Sequence, residues 1–128
     1  MKLLLDTHIF IWWADQPEKL SPAALSALED EANELLLSVA SVWEMQIKIQ
    51  LGKLKLNLPL KELVNNQQET NDLTVLPVAL AHVLTLDTLP FHHKDPFDRL
   101  LIAQGIEEAF TIVTADSQFS VYSVKLLQ

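Results

Sequence analysis

The amino-acid sequence predicts an α/β fold, a three-layer αβα sandwich whose central, mostly parallel sheet has about five strands. Short apolar runs alternate along the chain with segments in which apolar residues recur at helical spacing. Strands separated by helices need crossover connections, which make the strands parallel and cover both faces of the sheet. Glycine occurs only at Gly52 and Gly105, so the chain lacks the glycine-rich phosphate loop of dinucleotide-binding and P-loop proteins.

The predicted strands are short and apolar throughout. A continuous apolar run is typical of a parallel strand, because helices bury both of its faces. The first run, KLLL, follows Met1 directly, and the second, ELLLS, follows a helical segment. The predicted strands are residues 2–5, 34–38, 73–78, 110–114 and 121–127.

Start signals and apolar spacing predict the helices. Ser21 and Pro22 are typical of an N-cap and a first helical position, so they predict that a helix begins there. Val39 and Trp43 belong to an apolar pattern at helical spacing that stops near Gly52. The predicted helices are residues 8–15, 21–32, 39–51, 58–69, 79–87 and 96–108.

Length and composition restrict the class of protein. With 128 residues, 49% of them hydrophobic, the chain is long enough for one domain with a sizeable core. It contains no cysteine, which excludes disulfides, zinc–thiolate sites and cysteine nucleophiles. The opening apolar run is too short for a signal peptide and no run is long enough to span a membrane, so we expect a cytoplasmic protein. The net charge of −8 would repel nucleic acid unless a cation reversed it locally.

Acidic residues recur where a parallel sheet places its ligands, beyond the carboxyl ends of the strands. Asp6 and Asp116 each come just after a predicted strand. Asp95 and Asp98 open the helix that precedes the fourth strand, and Glu44 lies on the shoulder of the apolar face of the helix after the second strand. The topology therefore allows these five acids to meet in one cleft.

Each acid taken singly also has a purely structural interpretation. Asp95 suits an N-cap, followed by Pro96 at the first helical position, and Asp98 is spaced to bond back to the cap. Taken together, several carboxylates in one cleft would repel each other, and a fold tolerates this when a cation neutralises them. Carboxylates without cysteine or a clear histidine cluster suit Mg²⁺ or Mn²⁺.

Four segments of the sequence resemble one known family. They are LLLDTH at the start, SVASVWEMQIKIQLGKLKL in the middle, HHKDPFDRLLIAQ, and IVTADSQF near the end. In this order they resemble a PIN domain and, more narrowly, the VapC-like toxin ribonucleases of toxin–antitoxin pairs. The likeness extends over nearly the whole chain and implies a PIN-like fold.

The resemblance implies a catalytic, metal-binding set of Asp6, Glu44, Asp98 and Asp116, which we call the acidic quartet. It also implies hydrolysis of RNA phosphodiester bonds with one or two Mg²⁺ or Mn²⁺ ions. The partners implied are an RNA substrate, a cognate antitoxin and a second copy of the chain.

Further residues match positions beside the acids. Thr7 and Thr114 occupy small hydroxyl positions suited to hydrogen-bond a carboxylate or a water. Asp95 matches an extra aspartate of the subgroup, and we favour the role of helix cap for it. Arg99, next to Asp98, has either a supporting role in the site or a salt bridge. Gly105 replaces the alanine usual in the family, which would loosen the helix slightly.

The remaining aromatic residues, histidines and lysines are interpreted mainly as packing, structural or surface residues. The three tryptophans lie on predicted helices with apolar neighbours, so core or interface packing is favoured over base stacking. A loop or substrate contact is expected for the paired histidines, and a structural role for the other two. The lysines either assist at the acidic site or, as is favoured for most of them, are ordinary surface residues. These residues are Trp12, Trp13, Trp43, His92, His93, His8, His82, Lys48, Lys53, Lys55 and Lys94.

Four other functions are alternatives to a toxin ribonuclease. A phosphoacceptor receiver domain needs an aspartate after the central strand, but that strand reads LTVLPV. A haloacid-dehalogenase-type phosphatase needs two aspartates around one residue after the first strand, and DTH has one. A catalytically silent PIN-fold binding module and a PIN-type nuclease acting on DNA stay open as alternatives.

Overall fold

The computed structural model describes residues 1–128 and has a five-stranded, all-parallel sheet in the order β3-β2-β1-β4-β5. The predicted α/β class and mostly parallel sheet are therefore confirmed. In chain order, the strands are β1 (Lys2–Leu5), β2 (Glu34–Ser38), β3 (Thr74–Leu76), β4 (Thr111–Val113) and β5 (Lys125–Leu127).

Six helices connect the strands, and each predicted helix is present. Short 3₁₀ turns add to them at Pro17–Lys19, Leu86–Thr88 and Ser117–Val121. None of the helices is long and apolar enough to cross a bilayer. The helices are α1 (Thr7–Asp15), α2 (Pro22–Glu29), α3 (Val39–Gln50), α4 (Leu60–Asn71), α5 (Leu80–Thr85) and α6 (Pro96–Glu108).

The core has two layers, one on each face of the sheet. Alternate residues of a strand face opposite sides, so Leu3 and Leu5 of β1 pack with residues of α1, α2 and α3. Leu4 packs on the other face, with Leu101 and Ile102 of α6. All three leucines are fully buried, which explains the unbroken apolar run in the sequence.

Several predicted boundaries were wrong by two to four residues, including both ends of α4 (predicted 58–69) and the end of β3 (predicted 78). The helix predicted to residue 32 ends at Glu29, because Asp30 begins a turn in which its carboxylate accepts the N–H of Ala32. The helix predicted to residue 87 becomes a 3₁₀ turn after Thr85. The last strand begins at residue 125, not 121, because the short β4 offers only three residues for pairing.

Gly105 has a packing function that the sequence did not indicate. A Cβ atom at this position would lie 2.9 Å from Cδ1 of Ile112 and 3.0 Å from Cγ2 of Val124. These distances are shorter than van der Waals contact, so the absence of a side chain lets α6 approach the sheet closely. The slight loosening of the helix expected from this glycine stays a prediction.

Candidate functional site

The carboxyl ends of β1 and β4 lie side by side, and Asp6 begins the site there. Its backbone N–H donates to the carbonyl of Val113 at 3.0 Å. Its Oδ1 caps α1 by accepting from the N–H of Ile9 at 2.7 Å, and its Oδ2 accepts from Oγ1 of Thr114 at 2.5 Å. Burial raises the pKa of Asp6, although the Thr114 and Ile9 hydrogen bonds oppose the rise.

Glu44 is brought to the site by α3, where it is buried. Its Oε1 accepts a hydrogen bond from Oγ1 of Thr7 at 2.7 Å, and its Oε2 lies 2.8 Å from Nζ of Lys48, one turn further along the helix. Lys48 is therefore the cation that pairs with a buried carboxylate. The expectation that it is an ordinary surface lysine is wrong.

Asp98 lies in the first turn of α6, and its Oδ2 is 2.9 Å from Nε2 of His93. Burial raises the pKa of Asp98 to about 7; the charge of Asp95 adds to the rise, His93 opposes it, and Glu44 and Asp6 add further. The last two carboxylates therefore lie near enough to Asp98 for their charges to act on it.

Asp116 completes the group from the turn after β4. Its Oδ1 accepts from the N–H of Gln118 at 2.9 Å, its own N–H donates to Oγ1 of Thr114 at 3.0 Å, and its Oδ2 lies 3.5 Å from Nε2 of His93. Its negative charge also raises the pKa of Asp6. The structure thus gathers the acidic quartet in one place; its catalytic role stays a prediction.

The two threonines beside the acids hold them in position. Thr7 donates to Glu44, and Thr114 donates to Asp6 while accepting from the backbone of Asp116. Both hydroxyls contact carboxylates directly in this structure, which is the first of the two contacts that the sequence suggested for them.

Asp95 is the N-cap of α6, as its place before Pro96 predicted. Its Oδ1 accepts from the backbone N–H groups of Phe97 and Asp98, at 2.8 and 3.1 Å. Its carboxylate is thus occupied by the helix, although its charge still acts on Asp98.

Arg99 makes no salt bridge, and its supporting role at the site stays a prediction. The side chain is buried and pairs with no acid. Its guanidinium donates to the carbonyls of Pro90 at 2.8 Å and Leu89 at 3.2 Å, and lies 3.9 Å from the centre of the Phe91 ring. Neighbouring residues of a helix point about 100° apart, so adjacency to Asp98 was misleading, and Arg99 instead fixes the segment before α6.

His93 is the site residue that sequence reasoning missed. The expectation was a loop or substrate contact, but its Nε2 and one carboxylate oxygen each of Asp98 and Asp116 lie within 4.8 Å of one another. The only signal in the sequence is its position five residues before Asp98 in the same segment. His92, next to it, is exposed and packs edge-on against Tyr122.

The other aromatic residues and histidines lie outside the acidic quartet. Trp12 and Trp13 pack partly buried against the first core layer, as expected. Trp43 is not in the core: it is 62% exposed and touches only the ring edge of Phe97 among the aromatics, at 5.4 Å. His82 is buried, and its Nδ1 accepts from the first turn of α5. His8 is exposed and its ring centroid lies 6.2 Å from that of Trp12, so its structural role stays a prediction.

The parallel order β3-β2-β1-β4-β5, with carboxylates gathered where β1 and β4 end, is the architecture of a PIN-type α/β protein. Residues 3–125 match the PIN domain family. The chain belongs to this family.

Relatives and solved structures agree with that assignment. Ribonuclease VapC22 of Mycobacterium tuberculosis is 31% identical over 115 residues, covering 89% of this chain and 86% of that protein. The structure of VapBC2 from Rickettsia felis bound to a DNA fragment from its promoter superposes with a TM-score of 0.77 at 18% identity, covering 99% and 98% of the two chains. VapBC-1 from nontypeable Haemophilus influenzae gives a TM-score of 0.64 at 14% identity, covering 100% and 98%. These two structural likenesses concern the fold alone.

Proposed function

We propose that this protein is a metal-dependent endoribonuclease, the toxin of a toxin–antitoxin pair, and that the acidic quartet is its catalytic centre. The observation that carries the proposal is the convergence of four carboxylates from separate elements, where burial and, after it, the acidic neighbours raise the pKa of Asp98. The ribonuclease relative that matches most of the chain supports the type of reaction.

The residues present fit a divalent cation. Carboxylate oxygens from four elements face one cleft, and Lys48 is the only lysine or arginine paired with any of them. Such an oxygen-rich, negatively charged site suits Mg²⁺, or Mn²⁺ as an alternative. Asp6, Glu44, Asp98 and Asp116 would hold the ion. When bound, it would supply the positive charge and Lewis acidity that phosphodiester hydrolysis requires.

The protein's own residues prepare this site for an anionic substrate. Thr7 and Thr114 fix one oxygen each of Glu44 and Asp6, leaving less of the orientation to be set when RNA arrives. The chain carries a net charge of −8, so a phosphate can approach only where a cation reverses the sign of the potential. Substrate binding should therefore depend on the metal as strongly as cleavage does.

The proposal includes two protein partners. Fold neighbours occur in toxin–antitoxin complexes, which supports an antitoxin for this chain. A second copy is supported by the exposed apolar side chains of α5, where Leu80 is 73%, Val83 47% and Leu84 61% exposed. Apolar surface concentrated on one short helix is typical of an interface.

Cleavage of a defined RNA by the purified full-length chain tests the proposal. We expect cleavage with Mg²⁺ or Mn²⁺, none with a chelator, and none by Asp6→Asn or Asp98→Asn. Asp87→Asn, which changes an exposed acid outside the quartet, should cut at the parent rate. Parent-rate cleavage by either quartet variant would remove the assignment. Cleavage of DNA but not RNA would favour a PIN-type DNA nuclease, and metal uptake without any cleavage would favour a silent binding module.

A further inference from the structure

Three contacts hold His93, one at its backbone and two at its ring. Its backbone N–H donates to the hydroxyl oxygen of Tyr122 at 2.8 Å, and the N–H of Asp95 donates to its Nδ1 at 3.3 Å. The ring of Phe119 packs against it edge to face, with centroids 6.1 Å apart. Only 13% of the side chain is exposed. The position and the rotation of the imidazole are therefore set by the protein.

The second nitrogen, Nε2, is buried and faces two acids of the quartet. It lies 2.9 Å from Oδ2 of Asp98 and 3.5 Å from Oδ2 of Asp116, yet neither contact has the geometry of a hydrogen bond. A histidine nitrogen next to a metal site has two possible functions. It ligates the ion with a lone pair, or it donates a hydrogen bond to the carboxylates that ligate the ion.

The contact at Nδ1 favours the donor. Because the N–H of Asp95 points at Nδ1, that nitrogen carries a lone pair, and the proton of a neutral ring is then on Nε2. Ligation through Nε2 would require a proton on Nδ1, where it would face the Asp95 N–H. We propose that His93 is a positioning residue whose Nε2–H lies between Asp98 and Asp116 and holds both carboxylates in place for the metal. The inference rests on the proposed function.

The proposed hydrogen-bond donor explains how Asp98 and Asp116 are held close to each other. Asp98 is carried by α6 and Asp116 by the turn after β4, so no common element fixes the distance between two like charges. A donor directed between their Oδ2 atoms attracts both, and a small rotation of the Asp98 carboxylate would complete a hydrogen bond. The same oxygens that contact His93 are then fixed, which leaves Oδ1 of Asp98 for the ion.

In this proposal Arg99 supports the position of His93. Its guanidinium holds the carbonyls of residues 89 and 90 and lies 3.4 Å from the hydroxyl of Tyr122, the group that accepts from the backbone of His93. It therefore supports the segment that carries the imidazole and acts on the acids only through it.

Calorimetric titration of the full-length chain with Mn²⁺ and with Mg²⁺ tests the inference without RNA. His93→Leu removes the donor, whereas His93→Gln puts an amide N–H near the place of Nε2. Loss of such a supporting hydrogen bond lowers metal affinity about 10-fold or more. We expect this loss for both metals in His93→Leu, an affinity near that of the parent in His93→Gln, and no change in His92→Leu, which alters the exposed neighbour.

Three results would overturn the inference. The first is parent affinity in His93→Leu. The second is a loss in His93→Leu that is much greater for Mn²⁺ than for Mg²⁺, which indicates a nitrogen ligand because imidazole suits Mn²⁺ better. The third is a folded His93→Gln that binds as weakly as His93→Leu, and it applies even if the leucine variant does not fold. A parent chain that takes up neither metal would instead remove the proposed function, and this inference with it.

Discussion

The hydroxyl of Thr114 donates a hydrogen bond of 2.5 Å to Oδ2 of Asp6, joining two residues that are 108 positions apart in the chain. The bond spans the carboxyl ends of the adjacent strands β1 and β4. The same oxygen of Thr114 accepts from the N–H of Asp116 at 3.0 Å. One buried side chain therefore links two acids of the quartet to each other and to the sheet.

Replacing Thr114 with valine should weaken both folding and metal binding. The substitution keeps the shape but leaves Oδ2 of Asp6 and the N–H of Asp116 without a partner, which costs about 1–3 kcal/mol of unfolding free energy. Urea unfolding measures the loss. Thr111→Val is a matched control in β4, just before Thr114, since that hydroxyl contacts only a methionine sulfur at 3.9 Å. Equal stability of the two variants would contradict the role given to Thr114.

The raised pKa of Asp98 predicts how the stability of the metal-free protein changes with pH. The folded-state pKa is about 7 and the ordinary value is 3.8, so between these values the folded state binds more protons than the unfolded state. Stability contributed by this group is then lost as pH rises from about 4 to 7. Asp98→Asn should remove this decline and raise the Tm at pH 7.5, by about 4 °C for each kcal/mol gained.

Thermal melts in a chelator at several pH values measure this effect. The expected curves for the parent and Asp98→Asn diverge with rising pH, whereas Asp87→Asn follows the parent. If Asp98→Asn melts lower than the parent at pH 7.5, the carboxylate is not under repulsion from its neighbours.

Lys48 is predicted to stabilise the protein through Glu44. In Lys48→Met, Oε2 of Glu44 loses its cation while remaining buried. Breaking a buried pair is strongly destabilising, but Lys48 is 38% exposed, so solvent screening reduces the expected loss to about 1 kcal/mol. Chemical denaturation at neutral pH measures it. Lys53→Met is the control, because that exposed lysine pairs with no acid; an equal effect of the two substitutions would contradict the assignment.

Gly105 and Ile112 are predicted to be energetically coupled. In Gly105→Ala, the gain of up to about 1 kcal/mol from helix propensity is opposed by overpacking against Cδ1 of Ile112, which costs about 1–3 kcal/mol. Ile112→Val removes that atom and should restore part of the lost stability. A double-mutant cycle by urea unfolding gives the coupling. Additive effects would mean that the close approach is relieved elsewhere.

The exposed apolar residues of α5 are predicted to form the contact between two copies. Leu84→Lys places a charge on this face and should shift a dimer to a monomer in light scattering after size-exclusion chromatography. Leu51→Lys, at the C-cap of α3, is a matched control, since Leu51 is 63% exposed and Leu84 61%. A Leu84→Lys protein that keeps the parent mass, or a parent that is monomeric, would exclude this surface as a dimer interface.

Much of the fold followed from local patterns. The unbroken apolar run of β1 predicted a strand buried on both faces, and Ser21 with Pro22 predicted the start of α2, where Ser21 does cap the helix. The last strand was predicted too long, because its length depends on how many residues β4 offers as partners. Pairing of strands distant in sequence leaves no signal in either run alone.

The candidate site, like the fold, was predicted only in part. Asp6, Asp98 and Asp116 follow strand ends or begin a helix, so topology alone brings them near each other. His93 could not be predicted, because its backbone is held by Tyr122 and its ring packs against Phe119, both more than 25 residues further on. The pairing of Lys48 with Glu44 could have been predicted, because the two residues are four positions apart on one helix face.

The most direct test of a metal held by the acidic quartet is an anomalous difference map from crystals of the full-length protein soaked in Mn²⁺. If the quartet binds the ion, the map has a peak surrounded by oxygens of Asp6, Glu44, Asp98 and Asp116. The peak disappears in crystals of Asp98→Asn. A map without a peak in this cleft, or with manganese bound only elsewhere on the protein, would contradict metal binding by the quartet.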